Sequence, residues 1–96
     1  MRLTNTTNGK HYFLTKKQLE MYKYFQEITS KCIDPANSRG YFYFTITEYC
    51  NKYGGAAGYT HKAISALIAM GAIEYNVRGR CKSIVRGIPG FVLTEF

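Results

Sequence analysis

The sequence predicts a small α+β domain of three helices, one short strand and a C-terminal two-stranded hairpin. Three observations predict it. Thr15 with Gln18 and Thr45 with Glu48 each have capping-box spacing at the head of a helical stretch. Gly54, Gly55, Gly58 and Gly71 bracket a third stretch of helical periodicity. Two strand-forming runs, AIEYNV (72–77) and SIVRGI (83–88), flank the tight basic sequence RGRCK. A chain of 96 residues, 46% of them hydrophobic, suits one domain around one core.

Residues 1–13 read as a polar N-terminal arm or irregular lead-in, because Asn5, Thr6, Thr7, Asn8 and Gly9 are a cluster of turn formers. The arm carries Arg2 and Lys10 and no acid, so it is either a basic contact segment or a frayed end. The domain proper is expected over 14–88. Its first helix runs from about Lys16 to Lys31, with Leu14 and Leu19 at hydrophobic-staple spacing and Met21, Phe25, Ile28 and Cys32 on one stripe beside Tyr22. The opposite face mixes Lys16, Lys17, Lys23 and Lys31 with Glu20 and Glu27, at spacings that suit a solvated helix surface.

Residues 34–40 are a loop by composition, and Tyr41–Phe44, wholly aromatic, suit a short strand. Thr45 opens a second helix that Gly54 and Gly55 end after Tyr53. Gly54 to Gly58 is expected as the turn, and Tyr59 to Met70 as the third helix. One side of that helix gathers Thr60, Ile64, Leu67 and Ile68; the other holds Lys62, Ser65, Ala66 and Ala69. The second side is small and lightly polar. It suits close approach to another surface, whether a DNA groove, the protein's own interior or a dimer contact. The hairpin brings Arg78, Arg80, Lys82 and Arg86 together, with Glu95 the only acid after Glu74, so its charge is expected to lack a local partner. Residues 89–96 form an apolar tail after the Pro89–Gly90 break, expected to cover the first helix or pair with a second subunit.

Thirteen Lys and Arg against six Asp and Glu leave a net charge of +7, which either favours a polyanionic partner or serves solubility. Cys32, Cys50 and Cys81 are odd in number and have no metal-site spacing, so reduced thiols and no bound metal are expected. No apolar run has the length of a membrane span or a signal peptide, and a cytoplasmic location is expected. His11 and His61 are far apart, no Ser or Cys lies in a nucleophile motif, and Gly54–Gly58 lacks the Lys-Ser/Thr of a phosphate loop. Neither enzymatic activity nor a cofactor or small-molecule ligand is expected.

The order helix, strand, short helix, turn, helix, two-stranded hairpin resembles the winged helix-turn-helix family. The spacing is most similar to the LexA-type DNA-binding domain of SOS-response repressors. Leu14, Thr15, Gln18 and Leu19, the segment Thr45 to Gly54, and Ala66, Leu67, Gly71, Ala72, Ile73 and Glu74 carry the resemblance, over roughly Leu14 to Ile88. It implies a double-stranded DNA partner, the third helix in the major groove with Tyr59, Thr60, His61, Lys62 and Ser65 at its leading end, and Arg78, Arg80 and Lys82 on the wing reaching phosphates or the minor groove. The third helix has no Arg, Asn or Gln for bidentate base contacts, which leaves base reading to Lys62 and to the hydroxyls of Thr60 and Ser65.

A homodimeric transcriptional repressor is the leading expectation, since pairing over two half-sites enlarges a small interface. The alternatives are a winged-helix protein-binding adaptor, of the kind a phage or plasmid encodes, and a partition- or replication-site binding protein.

Overall fold

The computed structural model describes residues 1–32, 40–77 and 83–94. Its elements in chain order are β1 (Arg2–Asn5), β2 (His11–Phe13), α1 (Lys16–Lys31), β3 (Phe42–Phe44), α2 (Ile46–Tyr53), α3 (Ala57–Ala69), β4 (Ile73–Val77), β5 (Ser83–Gly87) and β6 (Phe91–Thr94). Two three-stranded antiparallel sheets, ordered β2-β1-β6 and β3-β5-β4, accompany the three helices. The protein is a small α+β domain.

Local chemistry sets the helix ends. At α1 both halves of the capping box form: Gln18 N–H donates to Thr15 Oγ1 at 3.2 Å, and Thr15 N–H donates to Gln18 Oε1 at 3.1 Å. At α2 Glu48 N–H donates to Thr45 Oγ1 at 3.2 Å, and among the described residues no return bond to the Glu48 carboxylate is made. Gly54 closes α2 at φ +78°, a left-handed angle that suits glycine. The turn is shorter than the glycine pattern implies. α3 begins at Ala57 and takes in Gly58, so only Gly54, Gly55 and Ala56 connect α2 to α3.

The core forms where α1, α3 and β5 meet. Met21 and Phe25 of α1, Leu67 of α3 and Val85 of β5 are all fully buried, and each such side chain contributes roughly 1.5–3 kcal/mol relative to an exposed one. The α1 stripe differs from expectation in its second half. Thr29 is buried while Ile28 and Cys32 are half-exposed. The reason is a polar anchor: Gly87 N–H donates to Thr29 Oγ1 at 2.7 Å, and one turn earlier Gln26 Nε2 donates to Ile88 O at 3.2 Å. A Cβ on Gly87 would lie 2.8 Å from the Gln26 amide group, so glycine leaves room for that side chain to reach Ile88 O.

The terminal segments correct the sequence expectation. Residues 1–13 form two strands, not an irregular arm. The 89–96 tail contributes β6, which pairs with β1 in register from Arg2↔Thr94 to Asn5↔Phe91. The Asn-Thr-Thr-Asn-Gly cluster is the β1–β2 turn, where Thr7 N–H donates to Asn5 Oδ1 and Lys10 N–H to Asn8 Oδ1, each at 2.9 Å. Leu3, at the centre of β1, is fully buried in the common core. Leu3→Ala is expected to lower the unfolding free energy by about 2–5 kcal/mol. Urea denaturation measures this, and a change within error would mean that the terminal sheet is dispensable.

Candidate nucleic-acid interface

The exposed side of α3 is built by helical period. Gly58, His61, Lys62, Ser65, Ile68 and Ala69 face outward, while Thr60, Ala63, Ile64 and Leu67 face the core. Tyr59, 70% exposed, stands beside this face in the first turn. No acid occurs between Tyr49 and Ile73, so the α2–α3 turn and the whole of α3 carry only positive or neutral side chains. The α3 N terminus has no side-chain cap, because Ala56 stands at that position. Its first-turn residues, 57–59, are all exposed, which leaves backbone N–H groups at the positive end of the helix dipole open to an anion.

Two side chains of α3 depart from expectation, Thr60 from the role that the resemblance implies, though not from its apolar-side placement, and Ile68 from its place in the helical pattern. Thr60, expected among the base-reading hydroxyls, is fully buried, and its Oγ1 donates to Ala56 O at 3.1 Å and lies 3.4 Å from Cys50 Sγ. Back-bonding to the carbonyl one turn earlier turns this hydroxyl inward, so it is withdrawn from the contact face. Ile68, expected with the apolar side, is 43% exposed and joins the outer face. Tyr59, His61, Lys62 and Ser65 remain exposed on α3. Arg78, Arg80 and Lys82 lie outside the described residues.

The hairpin charge also needs correction at one position. Arg86 is locally neutralised: its Nη2 lies 3.0 Å from Glu74 Oε2 across the β4–β5 pair, and its guanidinium sits 4.9 Å from the Tyr41 ring centroid. The Tyr41 hydroxyl donates to Glu74 Oε1 at 2.9 Å. The Glu74 carboxyl is held below the ordinary glutamate range, chiefly by that Tyr41 bond and further by Asn76 and Arg86, against an opposing effect of burial. Sequence reading missed this cluster because its acid lies on the preceding strand, directly across from Arg86.

A second exposed feature runs along α2. Strand alternation buries Phe44 and turns Tyr43 outward, 74% exposed. Tyr43 joins Tyr24, Glu48, Tyr49, Lys52 and Tyr53 around an open cleft of about 120 Å³. Tyr49 and Tyr53 pack with ring centroids 4.8 Å apart, and Tyr24 meets Tyr53 edge-on at 5.5 Å. The Tyr49 hydroxyl donates to Glu20 Oε1 at 2.8 Å. Burial, followed by that bond, pushes the phenol well above its ordinary range.

Among the described residues no group of three or more His, Cys, Asp or Glu converges as a metal site, and no helix is long and apolar enough to cross a membrane. No protein-family model, curated protein or solved structure matches the chain.

The Glu74 cluster gives a pH prediction. Ionised Glu74 stabilises the fold at pH above the ordinary glutamate value of about 4.3, and that contribution is lost as pH falls through the lower folded-state value. Glu74→Gln is therefore expected to be less stable than the parent near neutral pH, by about 1 kcal/mol or less because the pair is partly exposed. Thermal melts across the acid range are expected to show the difference closing below about pH 4.

Proposed function

We propose that the protein is a small double-stranded-DNA-binding regulator with a winged helix-turn-helix arrangement, acting in the cytoplasm as a homodimeric transcriptional repressor. The observation that carries this reading is the α2–turn–α3 unit, whose outer α3 face holds His61, Lys62 and Ser65 and no acid. The three-residue turn suits a helix-turn-helix. The strand order β3-β5-β4 adds support, because the β4–β5 pair is continuous through β3 with the strand that enters α2.

In this reading α3 lies in the major groove, Lys62 and Ser65 meet base edges, His61 and Tyr59 meet the backbone, and the open α3 N terminus accepts a phosphate. Arg78, Arg80 and Lys82 supply phosphate contacts from the wing. Most of the affinity then comes from charge rather than base reading, because Lys62 is the only strong side-chain donor central to the face.

A second reading draws on the exposure of Ile68 and Tyr59 at the same face, which suits a protein-binding adaptor on this fold. Electrophoretic shift on random duplex DNA at two salt concentrations separates the two, since the adaptor predicts no salt-sensitive shift. For the DNA reading, Arg78→Ala combined with Arg80→Ala is expected to weaken binding to every duplex and to reduce the log–log salt slope by about two. Lys62→Ala is expected to change the preferred sequence in a selection from random duplexes. Parental affinity of the double variant at physiological salt overturns the proposed wing contact.

A further inference from the structure

The cleft between β3 and α2 has a chemistry that the duplex reading does not use. Its walls are tyrosine rings, of which Tyr43 is 74% and Tyr53 45% exposed. Its acid is Glu48, exposed, with no ion-pair or hydrogen-bond partner for the carboxylate among the described residues. Every other acid in the described residues is paired: Glu20 with Lys17, Glu27 with Lys31 and Glu74 with Arg86. Lys52, one turn beyond Glu48, places its Nζ 5.3 Å from the Tyr53 ring centroid. The cleft volume of about 120 Å³ is that of roughly four waters, enough for one flat ring system but not for a folded peptide segment.

Rings and a carboxylate can hold either an organic cation or a nucleobase, and the surrounding charge decides between them. Lys52 lies on the cleft, and Lys17 Nζ sits 4.9 Å from the neighbouring Tyr49 ring centroid. Lys17 is paired with Glu20, but Lys52 has no ion-pair partner among the described residues, and its ammonium on these rings, in a chain of net charge +7, disfavours a further cation and favours a strand carrying phosphates.

We propose that this cleft binds one unpaired base of single-stranded nucleic acid, stacked on the exposed Tyr43 ring, with Glu48 accepting hydrogen bonds from its Watson–Crick edge and Lys52 exchanging its place over Tyr53 for the adjacent phosphate. Guanine fits best. Its N1–H and N2–H₂ donate side by side to a carboxylate, whereas the thymine N3–H lies between two carbonyl oxygens that the carboxylate repels. A duplex hides these edges, so the cleft takes only unpaired bases. The inference rests on the proposed function only for its nucleic-acid partner, since it uses no residue of α3 or the wing.

The test uses the full chain and fluorescence anisotropy with two labelled oligonucleotides, a thymidine strand and the same strand with one central guanosine. Guanosine is expected to tighten binding about tenfold. Tyr43→Ala, at an exposed position, is expected to weaken single-strand binding about tenfold while leaving duplex binding unchanged. Glu48→Gln removes both the acceptor pair and a repulsion toward phosphate, so the readout is the guanosine-to-thymidine ratio, which is expected to fall to about one. Circular dichroism verifies that both variants are folded. Equal affinity of the parent for the two strands, an unchanged ratio in Glu48→Gln, or single-strand binding indifferent to Tyr43→Ala overturns the proposal. Tetramethylammonium binding that Tyr43→Ala abolishes, with no strand binding, also overturns it in favour of a cation cage. Loss of duplex binding in Lys62→Ala with the guanosine preference intact leaves the cleft standing and separates it from the α3 reading.

Discussion

The close approach of α1 to β5 is the constraint on which the rest of the domain depends. Thr29 and Gln26 are polar residues on a helix face that otherwise packs apolar side chains, and both bond to backbone at the end of β5, at Gly87 N–H and Ile88 O. Such bonds fix position along the strand, which dispersion contacts alone do not. With β5 held, both of its neighbours are held: β3 on one side leads into α2, and β4 on the other leads back from α3. The helical pair and the hairpin therefore share one reference point.

The charge of the molecule is uneven in a way that its total conceals. Glu20, Glu27 and Glu74 are each engaged by a nearby base, so the acids of α1 and β4 create little free negative surface. α3 has no acid, and its outer face is short of strong donors. A surface of that kind attracts a polyanion at long range but discriminates poorly between sequences at contact. Among the described residues Glu48 is the exception, an unengaged carboxylate beside aromatic rings in the first turn of α2.

Features governed by near neighbours were legible in the sequence. The Thr15 and Thr45 caps depend on residues three positions away, and the starts of α1 at Lys16 and α2 at Ile46 follow from them. The exposure of Tyr59, His61, Lys62 and Ser65 follows from helical period once α3 is located. The same period puts Thr60 beside Ile64 and Leu67, where it is buried, but the bond of its hydroxyl was not legible, because a threonine at a helix start bonds outward or back to its own turn with the same sequence signature. The terminal sheet was hidden for another reason: Leu3 meets Leu93, and no local pattern reports a partner at the opposite end of the chain. The tyrosine cleft draws Tyr24, Tyr43 and Tyr53 from three different elements, so only the packing of α1 against β3 and α2 brings them together.

The β1–β6 pairing bears on how the molecule is made. Residues 2–5 leave the ribosome well before their strand partner at 91–94. Until then the buried face of Leu3 has no covering strand on that side, and closing so long a loop adds entropy to the barrier of this step. The seam between α1 and β5 and the hairpin β4–β5 span shorter separations and can assemble first. Pairing of β6 is thus a long-range step within the domain: before residues 91–94 are in place, β1 lacks one of the two strands that flank it.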